Sequence, residues 1–278
     1  MNPDPSPFDG WTADPWVLGA FAAGALVYGL IARDGARWGW FAAALAVVAL
    51  AEMSPIRRLA DGVLFSAHMV QHILLLLVAP ALLLLSLPAK LGRPVAMAPR
   101  ARPAGDRARE RPRGADGARV RGIVPFLGWP AGVGAMWLWH VPTLCDAAVA
   151  VPAVRAVQTV SLIACGLLFW WPILSPRVAD RLSPGFGIGY LFTACLTCSA
   201  LGMLITLTPI EVCSAFVGPV DATNPWASLR NRLGALRDRQ IGGLLMWVPM
   251  CLIYVAAIML ELARWFGARA VPPQEDLG

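Results

Sequence analysis

Charge is scarce in this sequence. Only 14% of its 278 residues are Asp, Glu, Lys or Arg, while 58% are hydrophobic and the mean hydropathy is +0.61. A soluble domain carries about 25% charged residues, so a solvated surface over most of the chain is excluded. Three stretches, Trp16–Ala32, Phe186–Ile210 and Ile241–Leu260, contain no charged side chain at all. Crossing a bilayer as a helix takes roughly 20 apolar residues. Backbone in lipid must satisfy its own hydrogen bonds, so such stretches are helices. They lack the polar–apolar alternation of outer-membrane barrel strands. Signatures of catalysis are also missing: there is no phosphate-binding glycine loop, no nucleophile elbow and no HExxH. We therefore expect no enzyme. The N-terminus has no positive n-region or cleavage motif, so the first helix reads as a retained span. Six cysteines are present; four lie in apolar stretches, and Cys145 and Cys213 fall in loops, which is no disulfide scaffold.

What is present is a succession of apolar segments. Seven emerge, at about 16–32, 38–54, 62–88, 123–141, 154–174, 186–210 and 241–264, with Pro80 expected to kink the third. The expected fold is all-α: a polytopic membrane protein, a bundle of seven transmembrane helices forming one membrane domain. Its parts are an outer tail (1–15), helices one to three (16–89), a basic cytoplasmic loop (90–122), helices four to seven (123–264) and a cytoplasmic tail (265–278). Trp16, Trp38, Trp129, Trp139, Trp170 and Trp265 lie near predicted helix ends, as in an interfacial belt.

The net charge of +6 points to topology before it points to nucleic acid, which we do not expect as a partner. Ten of the 23 basic residues lie between Lys90 and Arg121. That stretch is rich in Arg, Pro, Ala and Gly and has too little apolar bulk to order itself; it can also meet anionic lipid. Placing it in the cytoplasm puts 16 basic residues inside and seven outside, the bias of the positive-inside rule. The N-terminus is then outside and the C-terminus inside.

Three histidines are the chief candidates for chemistry. His68 and His72 are four apart and share one face of helix three. His140 ends helix four, which runs the opposite way, so all three fall in the outer leaflet. Imidazole suits copper, zinc and iron, and soft sulfur favours Cu(I). Met69, Cys145 and Met246 are possible additional ligands, and Met53, Met136, Glu52 and Asp146 lie at similar depth. The alternative is that the histidines hydrogen-bond helices together. Cys195 and Cys198 form a C-x-x-C among small residues, which reads first as helix packing. Asp238 at the start of helix seven could orient a histidine, pair with an arginine or remain solvated; Gly242 and Gly243 permit close helix approach.

The stretch His68-Met69-Val70-Gln71-His72-Ile73-Leu74-Leu75-Leu76-Leu77-Val78-Ala79-Pro80, closed by Pro88, resembles the multi-spanning CtaG family of bacterial cytochrome c oxidase assembly factors. Trp139-His140-Val141-Pro142 and Asp238-Arg239-Gln240-Ile241-Gly242-Gly243 are similar to two further blocks of that family, and Phe169-Trp170-Trp171-Pro172 is a weaker fourth. The resemblance implies a protein of the bacterial inner membrane that matures a haem–copper oxidase through copper, with oxidase subunits or other assembly factors as partners. It also implies two more histidines at the start of helix five, where this sequence has Arg155 and Thr159 flanking Gln158. Two other readings remain: a permanent accessory subunit of a terminal oxidase with structural histidines, and a haem-binding electron carrier with two histidines as axial ligands.

Overall fold

A computed structural model describes residues 11–32, 37–88, 115–208, 212–221 and 223–269. Among these residues every regular element is helical. The long helices are α1 (Pro15–Ile31), α2 (Trp38–Glu52), α4 (Phe65–Ile73) continued by α5 (Ala79–Ser86), α6 (Ala115–Leu138), α8 (Pro152–Leu174), α9 (Pro184–Leu207) and α11 (Ala235–Arg269). Short helices α3 (Pro55–Leu59), α7 (Pro142–Ala150) and α10 (Ala227–Leu233) lie between them. Each expected segment coincides with a long helix. Five helices are long and apolar enough to cross a membrane: Trp38–Leu59, Phe65–Ser86, Pro152–Leu174, Pro184–Leu207 and Ala235–Gly267. At 17 residues, α1 is shorter than these.

Boundaries differ where a helix outruns its apolar core. Helix α6 begins at Ala115, inside the expected basic loop, because elongating an established helix is cheap and Ala and Arg are good helix formers. The rest of that loop up to residue 114 lies outside the described residues, as do the N-terminal ten residues and the tail beyond Arg269. Helix α11 likewise continues to Arg269, past the expected start of the tail.

The bundle is built on close backbone approach. Helix α11 packs on α9 and α4, α8 on α6 and α5, and α2 on α5. A Cβ on Gly243 would stand 2.2 Å from Thr206 Oγ1 and 2.9 Å from the Gly202 carbonyl oxygen, so α9 and α11 meet where only glycine fits. Between α4 and α5, residues Leu74–Val78 form a π-helical turn. Pro80 has no N–H, and its ring would press on the carbonyl four residues back. The wider turn relieves that conflict. Gly166 of α8 packs directly against this turn: a Cβ there would lie 2.2 Å from the Leu76 oxygen. Gly62, with φ +78°, makes the turn into α4.

Large apolar side chains such as Leu26, Phe126, Phe186, Leu207 and Leu252 stay exposed on the outside, a surface suited to lipid. The tryptophan belt is only partly real. Trp16 and Trp38 are exposed, but Trp139 and Trp170 are buried inside the bundle. Trp139 is drawn in by a hydrogen bond from Nε1 to Ser161 Oγ at 2.9 Å.

Candidate functional site

One end of the bundle is where α2 and α6 finish and α4, α8 and α11 begin. The three histidines meet there. Helix α4 opens at Phe65, so His68 and His72 occupy its first two turns; His140 stands in the turn that ends α6. All three are buried. Nε2 of His68 and Nε2 of His72 are 3.0 Å apart, and the ring centroids of His72 and His140 are 5.1 Å apart. The expected convergence of the rings is present.

Hydrogen bonding assigns the protons. His140 Nδ1 lies 2.5 Å from the Met136 carbonyl oxygen. A carbonyl only accepts, so Nδ1 carries the proton and Nε2 presents a lone pair. That lone pair faces the thioether of Met69 at 3.2 Å, and neither atom can donate to the other. The Gln158 amide donates to His72 Nε2 at 3.4 Å, which makes His68 Nε2 the donor of the histidine pair. The proton of His72 then sits on Nδ1, which is buried with no partner among the described residues. The cluster thus holds two strained accounts: opposed lone pairs at His140 and Met69, and an unanswered N–H on His72.

The surroundings explain how the cluster is held. Asp238, at the start of α11, is fully buried. Its carboxylate accepts from Phe65 N at 2.6 Å, Ser66 N at 3.0 Å and Ser66 Oγ at 2.5 Å, with Arg230 behind it at 3.8 Å. It caps the N-terminus of the histidine helix from across the chain, where a negative charge suits the helix dipole. The solvated reading of Asp238 therefore gives way. It pairs with an arginine and orients the histidines through their helix rather than by touching them. Gly242 permits this seam, since a Cβ there would lie 2.5 Å from Phe65 and 3.2 Å from Met69. Gln71 donates to the Ala51 carbonyl at 2.7 Å, tying the same turn to α2.

Beside His68 and His72 lies a small polar cavity, bordered also by Glu52, Arg57, Arg155, Gln158 and Thr159. Thr159 donates to Glu52 at 3.0 Å, and Arg57 approaches the same carboxylate at 3.5 Å. Arg155 pairs with Asp61 and reaches the Ala148 carbonyl at 3.0 Å. Arg155 and Thr159, the departures from the CtaG pattern, thus stand next to the histidines and are committed to carboxylates.

The accessory ligands fare unequally. Met69 touches His140. Met246 is buried in the same apolar core as Met69 and Met136, one turn along α11 from Gly242. Cys145 is bonded to Cys213 as a disulfide with Cα atoms 5.6 Å apart, so it offers no thiolate and is withdrawn as a ligand. Asp146 holds the same loop, accepting from Ser214 Oγ at 2.9 Å and Ala215 N at 3.0 Å. Sequence reasoning missed this disulfide because two loop cysteines 68 residues apart form no pattern. Among the described residues no three His, Cys, Asp or Glu side chains are arranged to hold a metal ion: His140 faces Met69 sulfur rather than the His68–His72 pair. In kind, however, the donors fit a soft ion, being three imidazoles and a thioether without net charge.

The model of the cytochrome c oxidase caa3 assembly factor family (Caa3_CtaG) matches residues 19–268. The chain belongs to this family. No curated protein and no solved structure matches it. The family match runs from α1 to the last turn of α11, so the histidine end, the glycine seam and the π-helical turn of this Caa3_CtaG member all fall within it.

Proposed function

We propose that this chain assists assembly of a haem–copper cytochrome c oxidase by holding copper at His68, His72 and His140, with Met69 as a sulfur donor. It acts as a seven-span protein of the bacterial inner membrane, N-terminus outside, without catalysing a reaction itself. The observation that carries this reading is the lone pair of His140 turned on the Met69 sulfur beside the paired His68 and His72. Two bare donors in contact, with a buried N–H left over nearby, are better satisfied by a cation than by each other. The His68–His72 pair parts to admit the ion. The Cys145–Cys213 disulfide lies at the same end, and disulfides persist in oxidising compartments. This supports an outer position for the histidines, as does the distribution of basic residues. The partners are components of the oxidase.

The test is copper retention by purified protein. Wild type should retain copper through dialysis, and His72→Ala should lose it with little change in helix content. Equal retention by both would remove the site. A periplasm-only reporter should be silent at residue 278, and activity there would reverse the orientation.

A second reading has its own support. The histidines already bond to one another and to Gln158, as they would in a permanent oxidase subunit where they only join helices. Copurification with oxidase subunits in fixed stoichiometry, combined with a copper content unaffected by His72→Ala, would favour it.

A further inference from the structure

The bundle carries a second set of soft donors, away from the histidines. Cys195 and Cys198 lie midway along α9, and Cys251 lies midway along α11. Cys195 donates to Cys251 across the helix interface with the sulfurs 3.2 Å apart, and Ser199 Oγ lies 3.0 Å from Cys251 Sγ. Cys198 faces elsewhere, toward the Tyr254 hydroxyl at 3.7 Å. All three cysteines are free thiols. Cys195 and Cys251 are half-buried, whereas Cys198 is buried. The C-x-x-C seen in the sequence therefore does not act as a unit; the pair is Cys195 with Cys251.

We propose that Cys195 and Cys251 form a two-coordinate site for a soft monovalent cation, Cu(I), independent of the histidine cluster. Thiolate sulfur selects Cu(I). Zinc in a closed site needs four ligands, and no trio of candidate ligands gathers among the described residues; Cu(I) is satisfied by two. The Cys251 sulfur accepts the Cys195 S–H and lies within hydrogen-bonding reach of the Ser199 hydroxyl, so the two sulfurs already face each other. Cu(I) replaces the Cys251 thiol proton, which leaves to solvent, and the neutral Cys195 sulfur is the second ligand. The product is Cys251–S–Cu with zero net charge, the form a low-dielectric site tolerates. Two metal–sulfur bonds of about 2.3 Å in line set the sulfurs about 4.6 Å apart, so the pair, now at 3.2 Å, must open by about 1.4 Å. Because both side chains are only half-buried, the core need not repack to allow it.

The test uses the full chain in detergent, kept reduced and anaerobic, with Cu(I) supplied from a chromogenic chelator. Wild type should take one equivalent more than Cys195→Ser or Cys251→Ser, and Cys198→Ser should match wild type. His72→Ala should keep this equivalent, so the result stands apart from the histidine reading. In wild type, bound Cu(I) should also protect Cys195 and Cys251 from alkylation by a maleimide, mapped by mass spectrometry. That measurement does not depend on a variant folding. Full uptake by Cys251→Ser, loss in Cys198→Ser instead, or unprotected Cys195 and Cys251 would each overturn the proposal.

Discussion

Asp238 joins two helices that are remote in sequence. Its oxygens take the first backbone N–H groups of α4, which no residue of that helix can satisfy. Leu64, at the local cap position, supplies no side-chain bond. Removing the carboxylate leaves buried donors unpaired, at a cost of about 1–3 kcal/mol, and leaves Arg230 without its charge partner. Asp238→Ala should therefore lower the thermal unfolding midpoint in detergent. Asp238→Asn should lower it less, since the amide oxygen still accepts. If the alanine variant melts with wild type, the cap contributes nothing and the histidine helix is held by packing alone.

Among the elements, α8 depends on one glycine. Gly166 lies over the Leu76 carbonyl, and the Pro80 ring itself would be 2.6 Å from an added Cβ. Gly166→Ala forces α8 away from the π-helical turn, an overpacking that costs about 1–3 kcal/mol. A smaller yield of folded protein and a lower unfolding midpoint are the expected results, whereas Gly134→Ala, with open space around it, should behave as wild type. Equal stability of the two variants would show that α8 is free to shift. This contact also marks what the sequence could disclose about the elements. Apolar length disclosed the helices, and Pro80 disclosed a disturbance in the third. The i, i+4 spacing and opposed helix directions disclosed the meeting of His68, His72 and His140. Contacts between distant residues had no such signal: Asp238 on Phe65, Gln158 on His72 and Cys145 on Cys213 each join segments whose spacing carries no period. The early start of α6 was hidden because Gly117 and Gly122, poor helix formers, are interleaved with its Ala and Arg residues.

At the scale of the whole molecule, almost nothing lies outside the helical bundle among the described residues. The histidine cluster is the copper site proposed above, and the family match spans it. The most direct measurement is the copper content of the haem–copper oxidase purified from cells lacking this chain and complemented with variants of it. Wild type should restore the oxidase copper, and Gly134→Ala should restore it equally. His72→Ala should leave the oxidase copper-deficient although the variant accumulates in the membrane at normal level. Full oxidase copper with His72→Ala would contradict the account.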